Sequence, residues 1–312
     1  MSGALGEAHG GLTAALRAAR SVVVLTGADA SAESGIPTFR DALTGLWARF
    51  DPARLATPEA FAADPDLVWG WYVWRREQIA LCRPNPAHTA VARLQRAVRA
   101  RGGTVTVVTQ NVDDLHERAG ALDVLHLHGA IAQSRCSVCG EPAAEHGATG
   151  VRGDPAAAGE GERIPPPACA GCGGPVRPAV VWFGEELPRR EWLRAQAAAD
   201  GADLLLSVGT SSTVYPAAEL PHIAARAGAR IVQINPSPTG LEPIVHDDVR
   251  AAAGAVLPGL VDAACGHAAS ARTVRPGAAR PTSWYSCAPR PRRAEWTGRS
   301  VTRHVIAVRC RV

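Results

Sequence analysis

The stretch SVVVLTGADASAESGIPTFRD, residues 21–41, joins a strand-like apolar run to a loop of small residues. Gly27 and Ala28 soon follow the run, which is typical of a buried parallel strand that ends in a tight turn before a helix. Backbone N–H groups at such a turn can bind a pyrophosphate beside the helix N-terminus. The full glycine pattern of a dinucleotide loop is absent and Asp29 adds a carboxylate, so this stretch alone is a weak signal of a nucleotide site.

Four later stretches resemble strands, and each is followed by loop or helix signals: TVTVVT (104–109), DVLHLHG (123–129), ADLLLSVGTS (202–211) and RIVQIN (230–235). Residues 85–102 predict a helix, with Asn85 as N-cap and Pro86 at the first helical position. This alternation predicts an α/β fold with a Rossmann-like, doubly wound parallel sheet. In such sheets ligands bind at the carboxyl ends of the strands.

Two segments interrupt the alternation. Residues 42–83 are helix-like and rich in tryptophan, and residues 133–178 carry cysteines and prolines. We expect both to be insertions that form a smaller helical and zinc-binding lobe within one domain, residues 1–265. Residues 266–312 hold ten arginines and the single acid Glu295, have no apolar period, and are predicted to be a disordered tail.

The composition suits a packed globular core, since 46% of the 312 residues are hydrophobic. The net charge of +4 comes from the tail, which carries about +9 and leaves about −5 for the rest of the chain. The sequence has no long uncharged apolar run, and residues 1–11 lack the features of a signal peptide. We therefore expect a cytoplasmic protein with no membrane partner, and a nucleic-acid partner only through the basic tail.

Cys136 and Cys139 form one Cys-x-x-Cys pair and Cys169 and Cys172 another, and each pair is followed by glycine. Two such pairs are typical of a tetrahedral zinc site with four thiolate ligands. Two disulfides or free thiols are the alternatives, and a cytoplasmic location favours zinc over disulfides. Four protein ligands leave no open position on the metal, so its role would be structural.

Small polar residues follow several of the predicted strands. Gln110, Asn111 and Asp113 come after the second strand, where they could line a crevice or only form an Asx-turn that caps a helix. Gly209, with the hydroxyl residues after it, and NPSPTG at 235–240 follow two later strands. Together these strand ends favour a dinucleotide ligand.

His126 and His128 are two residues apart in HLHG, so they should share one face of a strand. A histidine at a strand end can have a purely structural role. Beside a nucleotide crevice, however, a side chain that titrates near neutrality is the leading candidate for a general base.

Seven motifs, in this order, resemble those of the sirtuins, a family of NAD-dependent protein deacylases: GADASAESGIPTFRD, TQNVD, HLHG, the two cysteine pairs, VVWFGEELP, VGTSSTVYPA and INPSP. The resemblance covers roughly residues 10–264. It implies that residues 1–265 are a sirtuin catalytic domain and that NAD is the co-substrate. It also implies that acylated protein lysines are the substrates, with nicotinamide and O-acyl-ADP-ribose among the products.

The resemblance also implies roles for matching positions. His128 would take a proton from the ribose hydroxyls, with His126 as its structural partner, and the substrate peptide would pair with the backbone at Val181, Phe183 and Gly184. The implied cofactor-binding residues are Gly27, Ala28, Asp29, Ser31, Phe39, Arg40, Gln110, Asn111, Asp113, Gly209, Thr210, Ser211, Asn235, Pro236, Ser237 and Ala253.

The stretch WGWYVWRREQ, residues 69–78, is similar to that of class III sirtuins, which remove succinyl and malonyl groups. Tyr72 and Arg75 would share one helix face. A guanidinium can pair bidentately with the terminal carboxylate of a succinyl group, and a phenol can add a hydrogen bond. The residues themselves would equally suit an amphipathic helix with a stacked Trp/Arg surface.

The chain departs from the family at Asp29, where sirtuins have glycine, and at Ala30, where they usually have a larger aliphatic residue. A carboxylate near a phosphate costs a few kcal/mol at the effective dielectric of a protein surface. Because aspartate tolerates left-handed backbone angles and a helix N-terminus offsets part of the repulsion, the loop could survive. We predict an active enzyme with weakened NAD affinity. The alternatives are an NAD- or ADP-ribose-binding protein without turnover and an ADP-ribosyltransferase.

Overall fold

The computed structural model describes residues 10–37, 54–143 and 162–266. The strands in these ranges are β1 (Ser21–Thr26), β2 (Thr104–Thr109), β3 (Leu125–His126), β4 (Gly129–Cys136), β5 (Pro142–Ala143), β6 (Val176–Val180), β7 (Leu204–Val208), β8 (Arg230–Ile234) and β9 (Asp247–Val249). The helices are α1 (Gly10–Ala18), α2 (Asp29–Ala32), α3 (Pro58–Ala63), α4 (Pro65–Leu81), α5 (Pro86–Ala100), α6 (Leu115–Arg118), α7 (Arg189–Asp200), α8 (Leu220–Arg226) and α9 (Ala253–Cys265).

Six strands form one parallel sheet in the order β3-β2-β1-β7-β8-β9. Chain order runs outward in both directions from the β1/β7 pair, so the sheet is doubly wound and its topological switch point lies between these two strands. The predicted α/β class is therefore confirmed. Ligands of such sheets bind outside the carboxyl ends of the strands at the switch point.

Both faces of the sheet are covered by helices. Val22, Val24, Leu204 and Leu206 point to the face that packs against α1, α5 and α9. Val23, Leu25, Leu205 and Ile231 point to the opposite face, where α7 and α8 lie. Because neighbouring strand residues face opposite sides, a sheet buried on both faces needs continuous apolar runs such as VVVL and LLL.

Two strands differ from the prediction. The strand expected over 123–129 is only β3, two residues long, because the chain turns away at Gly129 with a φ of +74°. A Cβ at that position would lie 2.1 Å from the carbonyl oxygen of Ala179 on β6, so close packing requires glycine. The edge strand β9 was not predicted, since two of its three residues are aspartates, a residue type depleted in strands.

Asn85 connects helix α5 to the loop after β1. Its Oδ1 accepts hydrogen bonds from the N–H groups of Ala87 and His88, and the Nδ1 of His88 accepts the N–H of Asn85, which completes a capping box. Its Nδ2 donates to the carbonyl of Ala30 at 2.8 Å. The predicted N-cap therefore also positions the loop quoted at the start.

The smaller lobe consists of α3, α4 and the antiparallel sheet β5-β4-β6. Its apolar cluster includes Phe61, Trp71, Tyr72, Ile131 and Trp182. Residues 38–53 and 144–161, which belong to the two predicted insertions, and the predicted tail from 267 onward lie outside the described residues. None of the helices within the described ranges is long and apolar enough to span a membrane.

Candidate functional site

A cavity of about 410 Å³ lies between the carboxyl ends of β1, β2 and β7 and the smaller lobe. Sixteen of the residues predicted to bind cofactor or substrate or to act as catalyst line this cavity: Gly27, Ala28, Asp29, Ser31, Tyr72, Arg75, Gln110, Asn111, Asp113, His128, Val181, Phe183, Gly184, Gly209, Thr210 and Ser211. The loops that carry them are separated by up to about 180 residues in the chain, and the sheet brings them to one edge.

Four other predicted cofactor-binding residues within the described ranges lie elsewhere. Asn235, Pro236 and Ser237 follow β8, and Ala253 begins α9, so none of them lines this cavity. Asn235 is almost fully buried, its Nδ2 donates to the carbonyl of Ser237, and its Oδ1 has no hydrogen-bond partner within the described residues. Phe39 and Arg40 lie outside the described residues.

The loop after β1 differs from the expected phosphate cradle. The N–H groups of Gly27, Asp29, Ala30 and Ser31 donate to the carbonyls of Val208, Gly209, Gly27 and Ala28. The helix N-terminus is therefore already occupied by internal hydrogen bonds, and the N–H of Ala28 is the one left over within this turn. That N–H groups of this turn bind a pyrophosphate stays a prediction, and the N–H of Ala28 is the donor left for it in this arrangement.

Asp29 does not need the left-handed backbone that was considered for it. It is the first residue of α2, and Asp123 and Ser212 are the non-glycine residues with positive φ within the described ranges. An acidic residue in the first turn of a helix is favourable because of the helix dipole. The left-handed glycine is instead Gly209, with φ of +60°, where a Cβ would lie 2.3 Å from the N atom of Ala30.

Gln110, Asn111 and Asp113 extend from the end of β2 into the cavity. The Nε2 of Gln110 donates to Thr210 at 2.9 Å, and the Nδ2 of Asn111 donates to the Gly27 carbonyl at 3.1 Å and to the Ser31 hydroxyl at 3.0 Å. Asp113 accepts the N–H of Leu115, so the Asx-turn alternative describes this residue correctly. Burial raises the pKa of the Asp113 carboxyl above its usual value, and its hydrogen bonds oppose the shift.

His128 lies in the turn between β3 and β4. Its Nδ1 is 2.9 Å from the carbonyl oxygen of Gln110, which can only accept, so Nδ1 carries the proton and Nε2 is left as the basic atom. Burial lowers the pKa of His128 below its usual value, although the hydrogen bond to Gln110 opposes this. A neutral imidazole with a free basic nitrogen suits a general base.

Tyr72 and Arg75, on α4, also line the cavity. Burial raises the pKa of Tyr72 to about 12, so the phenol keeps its proton. Arg75 donates to the carbonyl of Pro37 at 3.3 Å. The alternative prediction for this helix, a stacked Trp/Arg surface, is correct for a neighbouring face of α4. There the guanidinium of Arg76 lies 5.1 Å from the ring centre of Trp69 and donates hydrogen bonds to main-chain carbonyls of β4.

Trp182 is a residue of this site that the sequence analysis did not single out. Its indole N–H donates to the Tyr72 hydroxyl at 2.8 Å, and the Arg177 guanidinium stacks on its ring at 3.3 Å. Glu185 accepts the backbone N–H of Trp182 and bonds to Arg177. The sequence of the VVWFGE segment predicted only main-chain pairing with a substrate peptide. The contact of Trp182 with α4 could not be inferred from residue spacing.

The four cysteines form one cluster in the smaller lobe. Their Sγ atoms lie within 4.8 Å of one another, with separations of 3.5 Å for Cys136–Cys172 and 3.8 Å for Cys139–Cys169. Disulfide sulfurs would be about 2.05 Å apart. Tetrahedral zinc with bonds of about 2.3 Å spaces its sulfurs about 3.8 Å apart. The four thiols therefore fit a structural zinc ion, and Gly140 and Gly173 have the positive φ that both turns need.

The sequence is similar to that of several known proteins. Residues 27–216 match the model of the Sir2 family. An NAD-dependent protein deacylase of Methylococcus capsulatus is 52% identical over 252 residues, which cover 81% of this chain and 95% of that relative. The NAD-dependent protein deacylase 1 of Pseudomonas aeruginosa is 54% identical over 246 residues, with 79% and 95% covered.

The chain belongs to the Sir2 family. A solved Sir2 homologue–NAD complex has a TM-score of 0.71 at 44% identity, covering 82% of this chain and 93% of the other. A Sir2 complex with a deacetylated p53 peptide and 3'-O-acetyl ADP ribose has a TM-score of 0.68 at 28% identity, covering 81% and 97%. The matched range 27–216 includes the loop after β1, His128 and all four cysteines.

Zinc removal gives a direct test of the cysteine cluster. We expect one zinc per chain in the purified Sir2-family protein, and loss of zinc with a lower melting temperature in Cys139→Ser, because three thiolates hold the metal less tightly. Metal content by elemental analysis and thermal unfolding measure the two effects. Cys82→Ser, a free cysteine at the end of α4, is the matched control and should keep its zinc. Equal zinc loss in both variants would contradict the assignment.

Proposed function

We propose that this Sir2-family protein is an NAD-dependent protein-lysine deacylase that removes succinyl and malonyl groups as well as acetyl groups. Water is the third reactant, and the products are nicotinamide, O-acyl-ADP-ribose and the free lysine. The observation that carries the proposal is one cavity that is lined both by a neutral His128 and by Tyr72 and Arg75. The names of the relatives support the NAD-dependent deacylase activity.

His128 acts as the general base in this proposal. When bound, NAD supplies the ribose carbon that accepts the acyl oxygen as nicotinamide leaves. The Nε2 of His128 then takes a proton from a ribose hydroxyl, since Nδ1–H is held by the Gln110 carbonyl. Burial keeps His128 neutral at physiological pH by lowering its pKa.

Asn111 and Asp113 bind the carboxamide of nicotinamide. Both the N–H and the Nδ2 of Asn111 already donate within the protein, to Thr109, Gly27 and Ser31. Its Oδ1 is therefore the side-chain atom that can accept an amide N–H. The carboxylate of Asp113 adds a second acceptor beside it, which suits the two hydrogens of a primary amide.

Tyr72 and Arg75 recognise the carboxylate of a succinyl or malonyl group. Because the Tyr72 oxygen already accepts the indole N–H of Trp182, the phenol proton is free to donate to a carboxylate. The Pro37 carbonyl engages one nitrogen of Arg75, and the planar guanidinium has further N–H groups for the carboxylate. A neutral acetyl group would use neither donor.

The substrate peptide pairs at the edge of the smaller sheet. β6 is an edge strand, and Phe183 just beyond it is 55% exposed. The N–H groups of Val181, Trp182 and Phe183 already donate within the chain, so the peptide would pair through carbonyls and the N–H of Gly184. Recognition of the main chain implies loose sequence selectivity.

A cytoplasmic location is part of the proposal, since a four-thiolate site and the unpaired Cys82 and Cys265 suit a reducing compartment.

An acyl-peptide panel with NAD tests the proposed function. We expect mass spectrometry to show loss of the succinyl, malonyl or acetyl group from a lysine peptide and formation of O-acyl-ADP-ribose, and His128→Ala to lose this turnover. NAD binding without turnover in the wild-type protein would indicate a binding protein instead. A gain of ADP-ribose mass on the acceptor would indicate an ADP-ribosyltransferase.

Arg75→Met tests the acyl preference. We expect kcat/KM for desuccinylation to fall about 100-fold, since a charge-assisted pair is lost, and deacetylation to change less than about threefold. Tyr72→Phe should give a smaller loss of about tenfold on the succinyl peptide. Arg83→Met, an exposed arginine just beyond α4, is the control. Equal losses on succinyl and acetyl peptides would refute the carboxylate pocket.

Asp29→Asn tests the charge in the loop after β1. Removing a carboxylate that lines the cofactor end of the cavity should lower KM for NAD about tenfold, because repulsion of the phosphates is relieved. The wild-type KM should also fall with added salt, which screens the repulsion, whereas the variant should respond less. KM for the acyl peptide is the internal control. If both proteins have the same KM for NAD at low salt, Asp29 has no electrostatic role.

A further inference from the structure

His126 and His128 contact neighbouring main-chain carbonyls of the loop after β2. The Nδ1 of His128 is 2.9 Å from the Gln110 oxygen, and the Nδ1 of His126 is 3.2 Å from the Asn111 oxygen. The ring of His128 has no second polar contact within the described residues. His126 has one, because its Nε2 lies 2.7 Å from Oε1 of Glu117 on α6.

Both partners of His126 are hydrogen-bond acceptors. A main-chain carbonyl has no hydrogen to donate, and the hydrogen bond and charge of His126 lower the pKa of Glu117 although burial opposes the shift, so Glu117 is an ionised carboxylate. A neutral imidazole has only one N–H. His126 can make both hydrogen bonds only as the doubly protonated imidazolium, whereas His128 makes its single bond as a neutral ring.

The charges around His126 favour its cationic form. Burial alone would lower the pKa of His126, but Glu117, the Asn111 carbonyl and Asp113 together raise it above the usual value. His116, on α6, is neutral, since burial lowers its pKa to about 3.

The remaining charged groups on the packed elements do not reverse this balance. His88 on α5 is neutral, because burial lowers its pKa to about 4. Arg194 on α7 is paired with Asp123 before β3, and Asp114 is paired with Arg118. The carboxylates of Glu117 and Asp113 are therefore the charges that His126 balances.

We propose that His126 is a positioning residue for the cofactor end of the site, held as an imidazolium between Glu117 and the Asn111 carbonyl. This inference rests on the proposed function, in which Asn111 binds the nicotinamide amide and His128 is the base. By holding the Asn111 carbonyl, His126 fixes the peptide that links Asn111 to Val112, while His128 contacts the carbonyl of the preceding Gln110–Asn111 peptide. The backbone of Asn111 is therefore held on both sides, and His126 supplies the contact that orients its side chain from the C-terminal side.

The two histidines should affect activity on opposite sides of its pH dependence, His128 on the acidic side and His126 on the alkaline side. His128 must be neutral, so activity is gained as pH rises through its lowered pKa. His126 must be charged, so its hydrogen bond to Asn111 or Glu117 is present below its raised pKa and is lost as pH rises through that value. Affinity for NAD should therefore weaken on the alkaline side, while the chemical step at His128 retains its base.

Nitrogen-15 NMR of the histidine rings in the ligand-free, full-length protein tests the charge state of His126 independently of turnover. We expect one histidine with both ring nitrogens protonated at about pH 7, above the usual histidine pKa of about 6.5, and its signal should be missing in His126→Gln. A His126 signal that is neutral at about pH 7 would overturn the proposal. If the wild-type protein shows no deacylation, the proposed function fails, but this measurement still decides the charge state.

Kinetics as a function of pH test the positioning role. For the wild-type protein we expect KM for NAD to rise about tenfold between about pH 7 and pH 9 with little change in kcat, because one hydrogen bond to a charged group is lost. His126→Gln should raise KM about threefold at about pH 7 and remove the alkaline rise, since an amide can still donate to the Asn111 carbonyl without titrating.

Two further variants separate positioning from folding. Glu117→Gln keeps an acceptor for His126 but removes the charge, so the alkaline rise in KM should move at least about one pH unit lower. His222→Gln, a histidine on α8, is the matched control and should keep the wild-type profile. If His126→Gln fails to fold, the Glu117→Gln shift still decides. An alkaline limb that is unchanged in Glu117→Gln or His126→Gln would overturn the role of His126.

Discussion

The contact between the loops after β1 and β7 is the constraint on which the site depends. Gly27 donates to Val208, Asp29 donates to Gly209, and a Cβ on either Gly27 or Gly209 would lie within 3 Å of the opposite loop. The two loops therefore pack backbone against backbone at the switch point of the sheet. The small residues of GADAS and VGTS allow this close packing, so the two loops already form one surface before a ligand binds.

A buried polar network extends this constraint into the sheet. The hydroxyls of Thr26 and Thr109 at the ends of β1 and β2 lie 2.9 Å apart, and His116 bonds to Thr26 from α6. Buried polar groups cost several kcal/mol when they are left unpaired, roughly 2–7 by reference state, so such a network selects one arrangement of the strand ends. The network continues to Asn111, whose N–H donates to the Thr109 hydroxyl and whose Nδ2 donates to the Ser31 hydroxyl, so it positions both side chains.

The sheet and its ligand-binding edge could be predicted from the sequence because their signals are local. Apolar runs predict the central strands, Asn85 predicts the start of α5, and the Cys-x-x-Cys spacing predicts the cysteine cluster. β9 and the shortness of β3 could not be predicted, since pairing with a neighbouring strand and the turn at Gly129 decide them. The same applies to the bonds of Trp182 with Tyr72 and of Glu117 with His126, which join residues without a shared periodic pattern. The hydrogen bonds of the loop N–H groups to Val208 and Gly209 could not be predicted either, since they join loops that follow two different strands.

The proposed acyl recognition involves two segments that are 110 residues apart. Tyr72 on α4 receives the indole N–H of Trp182, and Trp182 is in turn fixed by stacking on Arg177 and by the carboxylate of Glu185. Without the indole donor, the phenol oxygen would need another partner, and its proton would be free to turn away from the cavity. The orientation of the Tyr72 phenol is therefore determined by Trp182, in the segment that follows β6, rather than by its own helix. A tyrosine and an arginine three residues apart on α4 thus suffice for a carboxylate pocket only where the facing segment supplies this donor.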